Sequence, residues 1–284
     1  MTSSVTETVA GAPASGNYTI IVEDPDFTLT FGAGIRWTQA TFNGTFKVFL
    51  NGATIAWANA TASESPFNFT GGDPIVEFHG GGTFTNTSTN EYTTLCLSSI
   101  GQHYFGHYVV NLPNEQNAGI YATSGSHSFY LESAEFIGGG TSCYNALIVG
   151  GTGRISIGIL EFSGGSSSWN TGVNKWPFWV YPTTNTAHID VIDMTAADAM
   201  YIRIDCSVNS LKTDVASVVD INPGARVHGG KFAATTTIRL PLVPPQKENI
   251  VFDNFDLYIT ASNLLSNKPI RFSAVSPFFI IAFL

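Results

Sequence analysis

Charge is the scarcest property of this sequence. Asp, Glu, Lys and Arg make up 12% of its 284 residues, against about 25% in a typical globular protein. Hydrophobic residues make up 44%, so the low charge does not indicate an unfolded chain. The formal net charge is −9, and no stretch concentrates Lys and Arg. This balance argues against a nucleic-acid partner, because phosphate binding needs a basic surface.

Cysteine is also rare. Cys96, Cys143 and Cys206 are an odd number of thiols without the spacing of a metal site, which favours buried, reduced side chains. The histidines are dispersed, and although His103 and His107 are four residues apart, the intervening residues are typical of strand and loop. In a strand this spacing does not bring two rings onto one ligand. The sequence therefore predicts no metal and no cofactor.

Long apolar runs are missing, so the sequence predicts no membrane insertion. Residues 1–16 are rich in Ser, Thr, Ala and Gly and lack both the basic start and the apolar centre of a secretory signal. We therefore expect synthesis in a host cytoplasm without Sec export. The same composition predicts a tail or anchor arm that buries nothing on its own.

A helical period is absent too, and a repeated unit of strand, bend and strand takes its place. It is clearest in residues 129–162, where Phe129, Leu131, Ala134 and Phe136 precede a glycine turn and the same pattern returns 26 residues later. The second copy has its apolar residues at Ile155, Ile157, Leu160 and Phe162. Alternation on each side of a bend is typical of short strands with one buried face.

The unit recurs about every 30 residues along most of the chain, a spacing typical of repeat architectures. Further copies have these apolar positions: Val48, Leu50, Ala53, Ile55; Ala187, Ile189, Ile192, Met194; Ile250, Phe252, Phe255, Leu257; and, in part, Ile270, Phe272, Val275. Half-copies end at Val76/Phe78, Val110/Leu112 and Ala225/Val227. Third strands are predicted between copies at 94–98, 119–122, 146–149, 176–181, 200–205 and 237–240. The sequence therefore predicts an all-β, single-stranded parallel β-helix with about three short strands per coil.

Two resemblances follow from these residues. The repeat over residues 42–284 resembles the right-handed parallel β-helices of the pectate-lyase-like class, which includes phage tailspikes, and the resemblance alone implies right-handedness. The two strands around Asp24-Pro25-Asp26 in residues 17–30 look like openings common in structural proteins of phages and large viruses. We expect residues 1–16 to anchor the chain, 17–41 to cap the solenoid and 42–284 to form the β-helix.

The outward residue between the last two apolar positions of each copy is often acidic. Down the copies it is Glu77, Asn111, Glu135, Glu161, Asp193, Arg226 and Asp256. Glu135 and Glu161 would lie on adjacent coils, near the ~5–5.5 Å carboxylate separation of retaining glycosidases. Glu135, Glu161 and Asp193 are therefore the candidate catalytic residues. The alternative is a column of solvated or interface charges in which Arg226 relieves repulsion.

Aromatic residues cluster in and after the turn at 163–175. Trp169, Trp179 and Tyr181 are the candidate carbohydrate-binding residues, because flat rings beside hydroxyl and amide groups suit sugar rings. Packing inside a coil is the competing explanation for any one of them. The catalytic signature of polygalacturonase-like enzymes is absent, and Arg203-Ile204-Asp205 and His228-Gly229-Gly230 match it only in part.

These observations predict a virion structural protein, a spike, tail, fibre or capsid-surface subunit located in the virion, with a glycan-binding outer face. Residues 277–284 are strongly apolar, and we expect a partner chain to cover them, most simply in a homotrimer as in the tailspike class. Other virion proteins would bind the N-terminal arm, and a surface polysaccharide would bind the outer face. The alternatives are a β-helical polysaccharide hydrolase or lyase and a self-assembling surface or filament protein.

Overall fold

The computed structural model is all-β where it describes the chain. The described residues are 15–31, 37–39, 42–58, 65–69, 71–88, 95–98, 101–113, 119–122, 127–139, 146–164, 177–182, 187–197, 200–213, 217–222, 225–232, 237–239, 251–253, 255–256 and 271–273. They contain 25 strands and no helix. No segment of this part of the chain therefore offers a helix that could span a bilayer.

The strands range in length from two to twelve residues. The first twelve are β1 (Ser15–Ile21), β2 (Thr28–Phe31), β3 (Trp37–Gln39), β4 (Asn43–Phe49), β5 (Thr54–Trp57), β6 (Phe67–Phe69), β7 (Ile75–His79), β8 (Gly82–Asn86), β9 (Cys96–Ser98), β10 (Gly101–Leu112), β11 (Ile120–Ala122) and β12 (His127–Gly138). The others are β13 (Leu147–Gly151), β14 (Ile155–Gly164), β15 (Phe178–Pro182), β16 (Ala187–Ala197), β17 (Tyr201–Ile204), β18 (Ser207–Lys212), β19 (Val218–Ile221), β20 (Arg226–Val227), β21 (Gly230–Lys231), β22 (Thr237–Arg239), β23 (Val251–Asp253), β24 (Phe255–Asp256) and β25 (Arg271–Ser273).

These strands form three parallel sheets. The first has 16 strands and runs β1-β4-β7-β10-β12-β14-β16-β18-β20-β23-β25, with β2, β5 and β8 leading into β10, and with β21 beside β18 and β24 beside β21. The second runs β15-β13-β11-β9-β6-β3, and the third runs β17-β19-β22. Neighbours within a sheet come from successive repeats of the chain, which is consistent with a parallel β-solenoid.

The repeat identified in residues 129–162 explains the long bent strands. Phe129 pairs with Ile155, Leu131 with Ile157, Ala134 with Leu160 and Phe136 with Phe162, and all eight side chains are buried. The bend falls where alternation is interrupted, so both halves of one strand bury their apolar residues on the same side. The predicted unit of strand, bend and strand is thus confirmed here and in β16, where Ala187, Ile189, Ile192 and Met194 are also buried.

The three predicted half-copies were assigned to the wrong positions within the unit of strand, bend and strand. Val76/Phe78 and Ala225/Val227 lie before the bend, because Phe78 pairs with Phe105 and Val227 with Val208. In β10 the residues in line with Ala134 and Phe136 are Tyr108 and Val110. Tyr108 is fully buried. It occupies a core position even though the apolar pattern did not count this tyrosine as an apolar residue.

The third strands match the predicted segments in β9, β11, β13, β15, β17 and β22. Three others, β3, β6 and β19, had no prediction. β1 and β2 pair in parallel with β4 and β5, as later strands pair with their neighbours. The predicted tail (1–14 of it) and the apolar residues 277–284 lie outside the described residues.

The buried residues form one continuous apolar cluster along the sheets. Aromatic rings follow one another within it: Phe78 stacks on Phe105 with centroids 5.0 Å apart, and Phe162 lies 5.3 Å from Phe136 and 5.7 Å from Phe178. Such ring contacts add about 0.5–1.5 kcal/mol each beyond the burial of area. Every second residue of a strand points into this core. The residues between them form the outer surface that carries the candidate site.

Candidate functional site

The three candidate catalytic carboxylates lie side by side on the first sheet. Glu135 on β12 pairs with Glu161 on β14, which pairs with Asp193 on β16. Adjacent strands lie about 4.8 Å apart, so the register brings each carboxylate next to its neighbour. We call these three residues the acidic column.

A lysine ends the acidic column on one side. Lys212 pairs with Asp193 in register, and its Nζ lies 3.1 Å from Asp193 Oδ2. Burial acts to raise the pKa of Asp193, but hydrogen bonds from Thr195 and Lys212 outweigh it and lower this pKa below its ordinary value. At the other end, Ser163 Oγ donates to Glu135 Oε1 at 3.1 Å. Both terminal carboxylates of the column therefore have partners within the protein.

Three residues expected in the column lie elsewhere. Val109, not Asn111, is beside Glu135, which follows from the position of Tyr108 in the core. Glu77 lies before the bend and contacts Lys47 and His79, each at 2.8 Å. Arg226 is beside Ser207, so it does not relieve repulsion within the column, where Lys212 does.

The candidate carbohydrate-binding residues lie on a different sheet from the acidic column. Trp179 and Tyr181 occupy β15, with ring centroids 4.4 Å apart and the planes tilted by 39°. Both side chains are partly exposed, whereas Phe178 before them and Val180 between them are buried. Trp169 lies outside the described residues. The structure therefore brings together two of the three predicted aromatics and separates them from the predicted catalytic residues.

A glycine on the neighbouring strand accommodates Tyr181. Gly150 of β13 pairs with Tyr181, and a Cβ at Gly150 would come within 2.2 Å of the tyrosine ring. The ring therefore lies against the backbone of β13. This contact fixes the orientation of Tyr181 on the outer surface.

A group of polar side chains lies on the strands next to this aromatic pair. β17 runs alongside β15, with Cα atoms of the two strands within 8 Å, and β17 pairs with β19. Alternation places Ile202, Ile204 and Val219 in the core and turns the polar residues outward. We call the outward set the Asp205–Asp220 cluster; it comprises Tyr201, Arg203, Asp205, Asp220 and Asn222.

The members of the Asp205–Asp220 cluster bond to one another. Arg203 contacts Asp205 through two nitrogens, with Nε 2.8 Å from Oδ2 and Nη2 3.1 Å from Oδ1. Asn222 Nδ2 also donates to Asp205 Oδ1, and the Tyr201 hydroxyl donates to Asp220 Oδ2. Two-point contacts of this kind hold a guanidinium and a carboxylate in one plane. The cluster is therefore held in a defined geometry at the surface.

Asp220 has an unusual ionisation. Burial raises its pKa to about 6, although Arg203, in register with it, acts in the opposite direction. A carboxyl group with this pKa exchanges its proton near neutral pH, as an acid or base in catalysis must. Sequence reasoning noted Arg203-Ile204-Asp205 but did not identify a cluster of carboxylates around Arg203. The only available signal was the outward position of Asp220, and its pairing with Arg203 depends on a strand, β19, that had no prediction.

The described residues contain no group of three or more His, Cys, Asp or Glu side chains placed to hold a metal ion. Cys206 is a free, buried thiol, and burial raises its pKa to about 12. A thiol in this state is a poor nucleophile, because the thiolate is the reactive form. The chemistry available on the described outer surface thus comes from carboxylates, guanidinium and ammonium groups, imidazoles, amides, hydroxyls and aromatic rings.

Comparisons with protein-family models, with curated proteins and with solved structures gave no match.

Proposed function

We propose that the chain is a parallel β-helix with about three strands per coil, and that it is a structural subunit of a virion surface whose outer face binds glycans. The three parallel sheets and their single apolar cluster support the β-helix, since each long bent strand and the third strand after it would form one coil. The likeness of residues 17–30 to viral structural proteins supports the location in a virion.

The pair formed by Trp179 and Tyr181 carries the glycan-binding proposal. The two partly exposed rings lie on the outer side of β15, next to the carboxylates, guanidinium and amide of the Asp205–Asp220 cluster. Sugar rings present C–H patches and hydroxyl groups together, so they suit a surface that combines aromatic faces with hydrogen-bonding groups.

Binding of the purified full chain to an array of surface polysaccharides tests this proposal. We expect Tyr181→Ala and Trp179→Ala each to weaken binding about tenfold, because stacking on an aromatic ring contributes about 1–2 kcal/mol. Tyr130→Ala is the matched control, since Tyr130 is an exposed aromatic residue on β12 of the first sheet. Circular dichroism of each variant checks that the fold is retained.

Unchanged glycan binding by folded Tyr181→Ala and Trp179→Ala variants would contradict this location. Binding that Tyr130→Ala weakens equally would place the glycan on the first sheet instead.

A polysaccharide hydrolase or lyase is the second candidate, supported by the adjacent positions of Glu135 and Glu161. An inverting or retaining hydrolase needs two carboxyl groups at a set separation, and neighbouring strands supply such a pair. The enzyme hypothesis predicts that a Glu135→Gln/Glu161→Gln variant keeps its fold and loses polysaccharide cleavage. A purely structural role predicts no cleavage by either protein and a small change in stability.

We further propose that the subunit assembles as a homotrimer and contacts other virion proteins through residues 1–16. The apolar composition of residues 277–284 supports assembly, because an exposed apolar strand would cause aggregation unless a partner chain covered it.

A further inference from the structure

The Asp205–Asp220 cluster adjoins the aromatic pair and faces the same way. Tyr201, Arg203, Trp179 and Tyr181 all alternate with buried residues on neighbouring strands, so all four side chains are directed away from the core. A sugar stacked on the rings of β15 would therefore reach the polar groups of β17. The two features therefore lie on the outward faces of neighbouring strands.

The polar groups of the cluster are fixed before any ligand arrives. Arg203 and Asn222 hold Asp205, and Tyr201 holds Asp220. Binding costs less entropy when the contacting side chains are already immobilised. Carboxylates accept hydrogen bonds from sugar hydroxyls, and amide and guanidinium groups donate to them.

The charge of this surface selects among sugars. The cluster contains two carboxylates and one guanidinium, and the guanidinium already contacts Asp205 at two points. The net charge of −9 adds to the negative potential. A uronic or sialic acid would bring a further carboxylate to this surface and would be repelled, whereas a neutral sugar would not.

We propose that Trp179, Tyr181 and the Asp205–Asp220 cluster form one binding site for neutral, hydroxyl-rich glycans, and that the site discriminates against acidic ones. This inference rests on the proposed glycan binding and adds the substrate class and the polar contacts. The aromatic rings stack on the sugar, and the carboxylates accept its hydroxyl protons in hydrogen bonds.

Paired oligosaccharides test the inference. Calorimetry with the full chain would compare oligomers of glucose, galactose and mannose with the corresponding oligomers of their uronic acids, which differ only in the carboxyl group at C6. We expect at least one neutral oligomer to bind at least tenfold more tightly than its uronic counterpart. Asp220→Asn and Asp205→Asn should each weaken neutral binding at least fivefold and narrow this preference, because each removes a negative acceptor.

Two controls separate the site from general effects. Tyr201→Phe removes one hydroxyl without changing the ring, and it should weaken neutral binding in a protein that remains folded. Asp190→Asn changes an exposed carboxylate on β16 of the first sheet, where it contacts His188 and Asn209, and should leave binding unchanged.

The outcomes distinguish this inference from the proposed function. Equal or tighter binding of uronic oligomers would overturn the inference and leave glycan binding intact. If the three substitutions Asp205→Asn, Asp220→Asn and Tyr201→Phe leave the binding of neutral oligosaccharides unchanged, the proposed polar contacts with the sugar are wrong. Absence of binding to every oligosaccharide and to the polysaccharide array would overturn the proposed function and this inference with it.

Discussion

Glycine occupies the bend of two long strands, and its role differs between them. A Cβ at Gly158 in β14 would lie 2.2 Å from the backbone oxygen of Glu132. At Gly106 in β10 the nearest atom would be 3.6 Å away, an ordinary contact. The first glycine is required by the close approach of the neighbouring strand, and the second is not.

We therefore expect Gly158→Ala to lower the free energy of unfolding by about 2–3 kcal/mol, because the backbone must move to relieve the overlap. Gly106→Ala is the matched control and should change it by less than about 1 kcal/mol. Urea unfolding followed by circular dichroism measures both. Equal losses in the two variants would show that the close approach of the Glu132 backbone oxygen does not account for the effect at Gly158.

The ionisation of Asp220 makes stability depend on pH. Its pKa is about 6 in the folded chain against about 3.9 when unfolded, so the folded state binds more protons between these values. The contribution of Asp220 to the free energy of unfolding is fully present below about pH 4 and is lost as the pH rises through 6. Partial exposure of the group reduces the effect to about 1 kcal/mol.

Urea unfolding between pH 4 and 7.5 checks this dependence. Between these pH values, Asp220 should lower the free energy of unfolding of the wild type by about 1 kcal/mol. This fall should be absent in the Asp220→Asn variant. Asp190→Asn, which changes an exposed carboxylate, should retain it. Parallel profiles for wild type and Asp220→Asn would mean that the carboxyl titrates alike in both states.

Sequence reasoning located some outer residues and missed others for a physical reason. Glu135, Glu161 and Asp193 follow buried residues at the same distance within similar repeats, so alternation alone places them in line. The contacts of Arg203 and Asp220 depend on which residues of β17 and β19 pair. Packing between β17 and β19 sets this register, and the repeat pattern contains no information about that packing.

At the scale of the strand, the burial pattern of β14 separates two apolar residues. Phe162 is buried between Phe136 and Phe178, whereas Ile159 at the bend is 40% exposed. Their sequence context is similar, since both lie in an apolar strand. Packing, not residue type, decides what each contributes to stability.

Replacing Phe162 with alanine should lower the free energy of unfolding by about 3–5 kcal/mol, because it removes a buried ring and leaves a cavity. Ile159→Ala on the same strand should change it by less than about 1 kcal/mol. Thermal and urea unfolding of both variants provide the comparison. A small effect of Phe162→Ala would indicate that the neighbouring rings close the cavity.

The repeat predicts the strands well in the middle of the described chain. In β12, β14 and β16 all the predicted apolar positions are buried, and they pair in register except at Phe162 and Met194, where the register shifts. The prediction failed in β10, where Tyr108 is buried with its hydroxyl donating to the backbone oxygen of His79 at 3.0 Å. A hydrogen bond to a carbonyl lets a tyrosine occupy the core, and a hydrophobic pattern does not reveal such a partner.

At the scale of the whole molecule, stacking of repeats buries apolar residues along one continuous cluster. Repeats of this kind contact only their neighbours. β1 illustrates this, because it pairs with β4 on one side and ends in Ile21, which is 61% exposed. Oligomerisation is one way in which proteins protect such edges.

Light scattering on the purified full chain tests the proposed homotrimer. We expect a mass of about 91 kDa, three times the 30.4 kDa of one chain, that is unchanged on tenfold dilution. A variant lacking residues 1–16 should remain trimeric, because the proposal gives that segment contacts with other virion proteins only.

The same measurement separates the three functional hypotheses. A mass that grows with concentration would indicate the filament protein, since open assemblies add subunits without closing. A soluble monomer, with and without residues 1–16, would contradict the trimer and weaken the virion assignment. The face of the first sheet that carries Glu135 and Glu161 would then be better explained as the substrate site of a solitary β-helical enzyme, and loss of polysaccharide cleavage in the Glu135→Gln/Glu161→Gln variant would become the deciding experiment.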